Sequence, residues 1–224
     1  MGVHDEAPDE GMQALYPFLY AGGDRDVGAV IDEVARSTAG KAREIVELRL
    51  ALVEKEAARL AECAAAMAAH LAAGGRLLAF GNGGSSTDAQ DVVTTFLNPP
   101  YGQPLPALSL TSDVAVVTAL SNDVGFDVVY SRQVAASGRN GDIAVGLSTS
   151  GGSANVLNAL EEAKRRGMLT VGLAGYDGGK MAELDALDHL FVVSSSSVHR
   201  IQETQTTIYH LLWELTQRAL THAK

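Results

Sequence analysis

The sequence predicts an α/β domain built on a doubly wound parallel sheet of five strands, flanked by long helices at its N- and C-terminal ends, and three observations predict it. Short apolar runs alternate with stretches of helical periodicity along most of the chain, the pattern of strands joined by crossover helices. Two of those runs stop at glycine-rich turns and resume as helices: Leu77 to Gly81 before Asn82-Gly83-Gly84-Ser85, and Ile143 to Leu147 before Ser148-Thr149-Ser150-Gly151-Gly152-Ser153. The segments outside this alternation, from about Val27 to Ala73 and from about His199 to Ala223, are helical and too long to serve only as crossovers.

Taken in order, residues 1–26 form an N-terminal extension, acidic at first and then carrying the aromatic cluster Tyr16, Phe18, Leu19 and Tyr20. The first dozen positions read as disordered, and the aromatics are expected to dock on the body or on a neighbouring subunit. Residues 27–224 read as one domain that includes its N-terminal helices. The first helical stretch is expected to break near Ser37 to Gly40 and to stop at Gly74-Gly75. Ile45, Leu48, Leu52, Leu60, Ala64, Met67 and Leu71 give it one apolar stripe, and the small residues Ala57, Ala58, Ala61, Ala65 and Ala66 permit close approach of another helix. Packing inside one subunit is one outcome; a helix bundle between subunits is the one this length favours.

After the first strand and loop come a helix over Thr87–Phe96, a proline-rich connection from Asn98 to Pro106, and a short strand at Leu108–Leu110. Ser112 is placed to cap a helix over Asp113–Leu120, Asn122-Asp123 to turn, and a further helix runs over Asp127–Ser137. The third strand spans Ile143–Leu147 and its helix Ala154–Arg166, closed by Gly167. Strands at Thr170–Ala174 and His189–Val193 follow, with a short helix over Met181–Leu187 between them.

The balance of 17 Lys and Arg against 27 Asp and Glu gives a formal net charge of -10, which excludes a broad basic footprint for nucleic acid or anionic membrane. The single cysteine, Cys63, allows neither a disulfide framework nor a cysteine metal cluster, and fits a reducing compartment. The acidic N-terminus lacks an apolar leader core, Glu6 stands where a myristoylation signal needs Ser or Thr, and no window is apolar enough to span a bilayer. The expected location is cytoplasmic.

Ligands of doubly wound sheets bind beyond the carboxyl ends of the strands, where both glycine-rich loops fall. The first loop is no dinucleotide fingerprint, because Ser86 stands where the third glycine belongs, and no Gly-Lys-Ser/Thr follows to make a Walker loop. No nucleotide cofactor is expected. The second loop offers four hydroxyls and two glycines before a helix N-terminus, which suits a phosphate held without lysine. On the last helix Gln202, Thr206 and His210 recur four apart and can point into one site.

Gly81-Asn-Gly-Gly-Ser85 with Asp88-Ala89, Asn122-Asp123, Ser148-Thr-Ser-Gly-Gly-Ser153 and Arg200-Ile-Gln-Glu203 with His210 together resemble the sugar isomerase (SIS) domain proteins of the phosphoheptose isomerase type. The resemblance covers residue 40 to the C-terminus. It implies a flavodoxin-like sheet, a homotetramer assembled on a helical bundle, and sites at subunit interfaces. It further implies that Ser148, Thr149, Ser150 and Ser153 hold a sugar phosphate, that Asn82, Gly83, Gly84 and Ser85 line the sugar, and that Asn122 and Asp123 contact its hydroxyls. Gln202 and His210 take the places of a zinc or substrate ligand and of an acid/base histidine.

Two positions depart from the family pattern. Where the isomerases carry a histidine and, four residues on, the proton-abstracting glutamate, this chain has Asp91 and Thr95. Threonine has no accessible pKa for moving a proton and is a poor zinc ligand. The reaction implied is aldose–ketose isomerisation of sedoheptulose 7-phosphate, with His210 and Asp91 as the catalytic pair. Zinc is the metal implied, with Gln202, His210 and Asp91 as its candidate ligands. His199, where these isomerases have an acidic or small polar residue, is a further change. The alternative is a non-catalytic phosphosugar sensor, or a tetrameric scaffold for a protein partner like the family members that serve replication initiation.

Overall fold

The computed structural model describes residues 27–222. The chain divides into two units, residues 1–43 and 44–224. In the first, the described residues are helical and expose Val30, Ile31 and Val34; the N-terminal aromatics lie outside the described residues. The second carries the sheet.

Helix α1 (Val27–Ala72) runs unbroken through Ser37–Gly40, contrary to the expected interruption. Gly40 costs a helix interior about 1 kcal/mol against alanine, too little to end a helix of 46 residues. The remaining elements are β1 (Leu77–Gly81), α2 (Gly84–Leu97), β2 (Ala107–Ser109), α3 (Val114–Asp123), α4 (Val129–Ser137), β3 (Ile143–Ser148), α5 (Ala154–Arg165), β4 (Leu169–Gly175), β5 (His189–Val193) and α6 (Val198–His222), with 3-10 turns at Phe126–Val128 and Gly179–Glu183. Asp113 rather than Ser112 caps α3, its carboxylate accepting from the Val116 N–H. Asn122 and Asp123 belong to the last turn of that helix, not to a turn after it. The expected helix over Met181–Leu187 is the short 3-10 turn instead.

All five strands are parallel, in the order β2-β1-β3-β4-β5. That is the flavodoxin-like doubly wound order, whose direction reverses between β1 and β3. Alternate strand residues divide between two cores. Leu77, Ala79, Ile143, Val145, Leu147, Val171, Leu173 and Phe191 pack with α2, α6 and the α1 residues from Leu52 to Leu71. Leu78, Phe80, Ala144 and Ala174 pack on the other face with Val129, Tyr130 and Val134 of α4 and Val156, Ala159, Leu160 and Ala163 of α5. Among the described residues, no helix is long and apolar enough to cross a membrane.

At the amino end of β4, Asp188 accepts from the Thr170 N–H at 3.0 Å and hydroxyl at 2.9 Å and pairs with Lys164. Burial works to raise this carboxyl, but the Lys164 and Thr170 bonds outweigh it and hold the group below the usual carboxylate range. A carboxylate lowered in the folded state adds stability that is present above its unfolded pKa of about 4 and is lost as pH falls through the lowered value. Asp188→Asn is therefore expected to lower the urea midpoint at neutral pH, with the deficit shrinking as pH falls below the unfolded carboxylate value and through the lowered one. An equal deficit at both ends would assign the effect to packing instead of charge.

Candidate functional site

Both glycine-rich loops open at the carboxyl ends of β1 and β3, the adjacent strands between which the sheet reverses direction. The second loop is the more finished. Ser148, the last residue of β3, lies 2.9 Å through its hydroxyl from the Ser153 hydroxyl and 3.4 Å from that of Ser150, so three hydroxyls share one point. The Gly152 N–H donates to Ser150 Oγ at 3.2 Å. Ser153 is the N-cap of α5, yet its side chain makes no capping bond and turns to Ser148. The start of α5 is thereby left without a side-chain cap, at the positive end of the helix dipole, an arrangement that suits an anion. Thr149 lies between these serines and is half-buried.

Two glycines hold this loop in place from behind. A Cβ on Gly151, at φ 62°, would lie 1.9 Å from the Gly178 carbonyl oxygen, and one on Gly179 2.3 Å from the Ser150 carbonyl oxygen. The Met181 N–H closes the contact on the Gly151 carbonyl at 2.8 Å. Strand β4's following turn is thus packed against the loop at backbone contact, which side chains at these positions would forbid.

The first loop is fixed by side chains that sequence reasoning missed. Asn82 and Asn155 exchange amide hydrogen bonds, at 2.8 and 2.9 Å, which joins the two loops across 73 residues of chain. Tyr130 donates to the Gly81 carbonyl at 2.6 Å and lies 3.3 Å from Asn82 Oδ1. Burial pushes the Tyr130 phenol up to about 12, so it remains a donor at neutral pH. Asn82 therefore acts as a clasp, with one amide hydrogen remaining for a ligand. Gly83 takes φ 54° ahead of α2, and Ser85 is buried in the first turn of that helix. A Cβ on Gly84 would come within 2.3 Å of Gln202 Nε2, so this glycine leaves room for the Gln202 amide over the start of α2.

Along that crossing the polar faces of α2 and α6 meet. Gln202 donates to Asp88 Oδ2 at 3.0 Å. Burial raises the Asp88 carboxyl above the usual carboxylate range; the Gln202 bond opposes this, and the neighbouring Asp91 charge adds to it. One turn further, Asp91 Oδ2 lies 3.5 Å from His210 Nε2 and accepts from the Tyr209 hydroxyl at 2.6 Å. Asp91 and His210 are each about half exposed, so both reach solvent. Thr95, one turn beyond Asp91 on α2, is half-buried and offers only a hydroxyl. Asn122 and Asp123 bond each other at 2.8 Å on the surface at the end of α3.

The structure therefore brings together Ser148, Ser150 and Ser153; Asn82 with Asn155; Gly84 with Gln202; and Asp91 with His210. The local sequence carries no signal for the Asn155 and Tyr130 bonds, which span 73 and 49 positions.

The donor set does not fit a zinc ion. Catalytic zinc takes three protein ligands drawn from His, Cys and carboxylates, and among the described residues no three such groups converge. Asp91 and His210 make two, while the Gln202 amide is turned onto Asp88.

A protein-family model described as SIS domain matches residues 42–175. The phosphoheptose isomerase of Desulfovibrio desulfuricans is 50% identical over 178 residues, 78% of this chain and 83% of that protein. The phosphoheptose isomerase of Aquifex aeolicus is 40% identical over 177 residues, 78% of this chain and 92% of that one. Among solved structures, phosphoheptose isomerase GmhA from Neisseria gonorrhoeae superposes with a TM-score of 0.74 at 38% identity, covering 84% of this chain and 99% of that chain. A phosphoheptose isomerase from Francisella tularensis gives 0.76 at 32% identity, over 84% and 98% of the two chains.

Proposed function

Since this chain belongs to the phosphoheptose isomerase family of SIS domain proteins, we propose that it interconverts the ketose and aldose forms of a seven-carbon sugar phosphate, sedoheptulose 7-phosphate being the ketose. The observation that carries the reading is the Asp91–His210 pair, 3.5 Å apart on facing helices. It supplies a carboxylate and an imidazole side by side in a chain whose Thr95 stands at the family's glutamate position.

In this reading the hydroxyls of Ser148, Ser150 and Ser153, with Thr149 and the N-terminus of α5, hold the phosphate, and Gly83, Asn82 and Gln202 line the sugar. Ser85 and Gly84 shape the wall; Asn122 and Asp123 close on sugar hydroxyls. The Asp91 carboxylate takes the proton from C1 of the ketose, the C1–H electron pair becomes the C1–C2 double bond of an enediol, and the carbonyl oxygen at C2 receives a proton. His210 moves protons between O1 and O2. Return of the carbon-bound proton to C2, with O1 becoming the aldehyde oxygen, completes the aldose. General acid–base transfer of this kind contributes about 10²–10⁴-fold to rate.

The exposed apolar residues Val46, Leu50 and Val53 on α1 support assembly as a homotetramer through a helix bundle. A cytoplasmic location accords with a phosphorylated substrate. Zinc has no part in the proposal, because the donor set lacks a third ligand.

The experiment is conversion of sedoheptulose 7-phosphate followed by carbon NMR, before and after exhaustive treatment with a strong chelator. Aldose signals should grow in both samples, at rates within about two-fold. Activity that vanished on chelation and returned with zinc would overturn the metal-free scheme; no conversion in either sample would overturn the isomerase.

A further inference from the structure

Tyr209 occupies a position where the stripe of α6 calls for an apolar residue, and its ring is used as one. It is 3% exposed and packs with Leu212, Ile208 and Trp213 in the core cluster beneath the helix. Its ring also meets the His210 ring edge-on, with centroids 5.0 Å apart and planes at 87°. A phenylalanine would fill the same space. What phenylalanine lacks is the hydroxyl, which donates at 2.6 Å to Asp91 Oδ2, the oxygen that also faces His210 Nε2.

The proton inventory leaves that bond little competition. Thr206 Oγ1 is 3.3 Å from the same phenol oxygen, but the Thr206 hydroxyl proton serves the Gln202 carbonyl at 3.0 Å. The single phenol proton goes to the shorter, charged acceptor. Burial first, and the Asp91 bond after it, raise the Tyr209 phenol above its ordinary value, so it stays a donor at neutral pH. Asp91, half exposed on a helix surface, would otherwise sample several staggered rotamers.

We infer that Tyr209 is a positioning residue: its hydroxyl, anchored by a buried ring, selects the one Asp91 rotamer that sets the carboxylate beside His210. The inference rests on the proposed roles of Asp91 and His210 in proton transfer. It explains how an aspartate, shorter than glutamate and one turn from Thr95, is held where it works. A misplacement of about 1 Å can cost 10²-fold in such a step.

Tyr209→Phe tests it. With the ring volume kept, the thermal midpoint should stay near that of the parent protein, while kcat for the sugar phosphate should fall roughly ten- to hundred-fold with KM little changed. A second readout is independent of turnover. In ¹⁵N-histidine-labelled protein, a carboxylate facing Nε2 keeps the neutral-ring proton there, and the His210 signals, identified by their loss in His210→Gln, should report that tautomer. Asp91→Asn should mix the tautomers, and Tyr209→Phe should reproduce the Asp91→Asn pattern. A Tyr209→Phe protein with the parental ring pattern overturns the inference. If the parent protein proves unable to isomerise the sugar, the isomerase reading falls, and the ring comparison still decides whether Tyr209 holds Asp91.

Discussion

Asp91→Asn is expected to lower kcat for isomerisation by at least about 100-fold, equivalent to about 2.7 kcal/mol of lost transition-state stabilisation. Asparagine matches aspartate in size, and its amide oxygen can still accept the Tyr209 hydroxyl that lies 2.6 Å from the carboxylate. The fold and the sugar pocket should therefore survive, with KM nearly unchanged. What disappears is the group able to take a proton from carbon. Thr95 cannot substitute, since a hydroxyl does not ionise in the working range. Steady-state kinetics with sedoheptulose 7-phosphate check this. A variant retaining parental kcat would transfer the base role elsewhere, and Asp88, bonded to Gln202 one turn away, would be next to replace.

Gly151→Ala should act on binding rather than on the proton. The new Cβ would fall 1.9 Å from the Gly178 carbonyl oxygen and 3.1 Å from the Gly179 nitrogen, atoms of backbone that no rotamer can move aside. The residue also sits at φ 62°, a conformation that alanine adopts only at a cost of roughly 1–2 kcal/mol. The loop must therefore shift, and with it the converged hydroxyls of Ser148, Ser150 and Ser153. Losing even two hydrogen bonds to a charged phosphate, each worth about 1.5–3 kcal/mol, weakens binding by more than 100-fold. Calorimetric titration with the sugar phosphate measures it. Unchanged affinity would show that the phosphate sits elsewhere.

Much of the fold was legible because its signals are local. The apolar runs ending at Gly81 and Ser148 mark β1 and β3 directly, and the alternation that follows leaves few arrangements besides a parallel sheet. The continuity of α1 was not legible, since Gly40 signals a break locally while the tens of residues around it favour helix. Asp113 and Ser112 are both good caps, and only the backbone path chooses between them.

The site divides along the same line. The Ser148–Ser153 loop announces itself, because its hydroxyls and glycines lie together in sequence. Asn155 and Tyr130 do not, because their partners are loops reached only after the sheet forms. Tyr209 carries no local signal of a site, and its ring is part of the core. Only the meeting of α2 with α6 shows that its hydroxyl points at Asp91. Family likeness marked Asp91 as a departure, and the fold sets the Tyr209 hydroxyl and the His210 ring beside it.

The central claim is that this chain forms an enediol with the Asp91–His210 pair, and proton exchange in heavy water tests it most directly. Purified protein is incubated in D₂O with sedoheptulose 7-phosphate, and deuterium at C1 of the ketose and C2 of the aldose is followed by NMR. The account predicts incorporation well above the protein-free control, reduced to that control in Asp91→Asn. Saturable binding of the sugar phosphate with no incorporation above the control would contradict it, leaving a phosphosugar-binding protein that does not turn its ligand over.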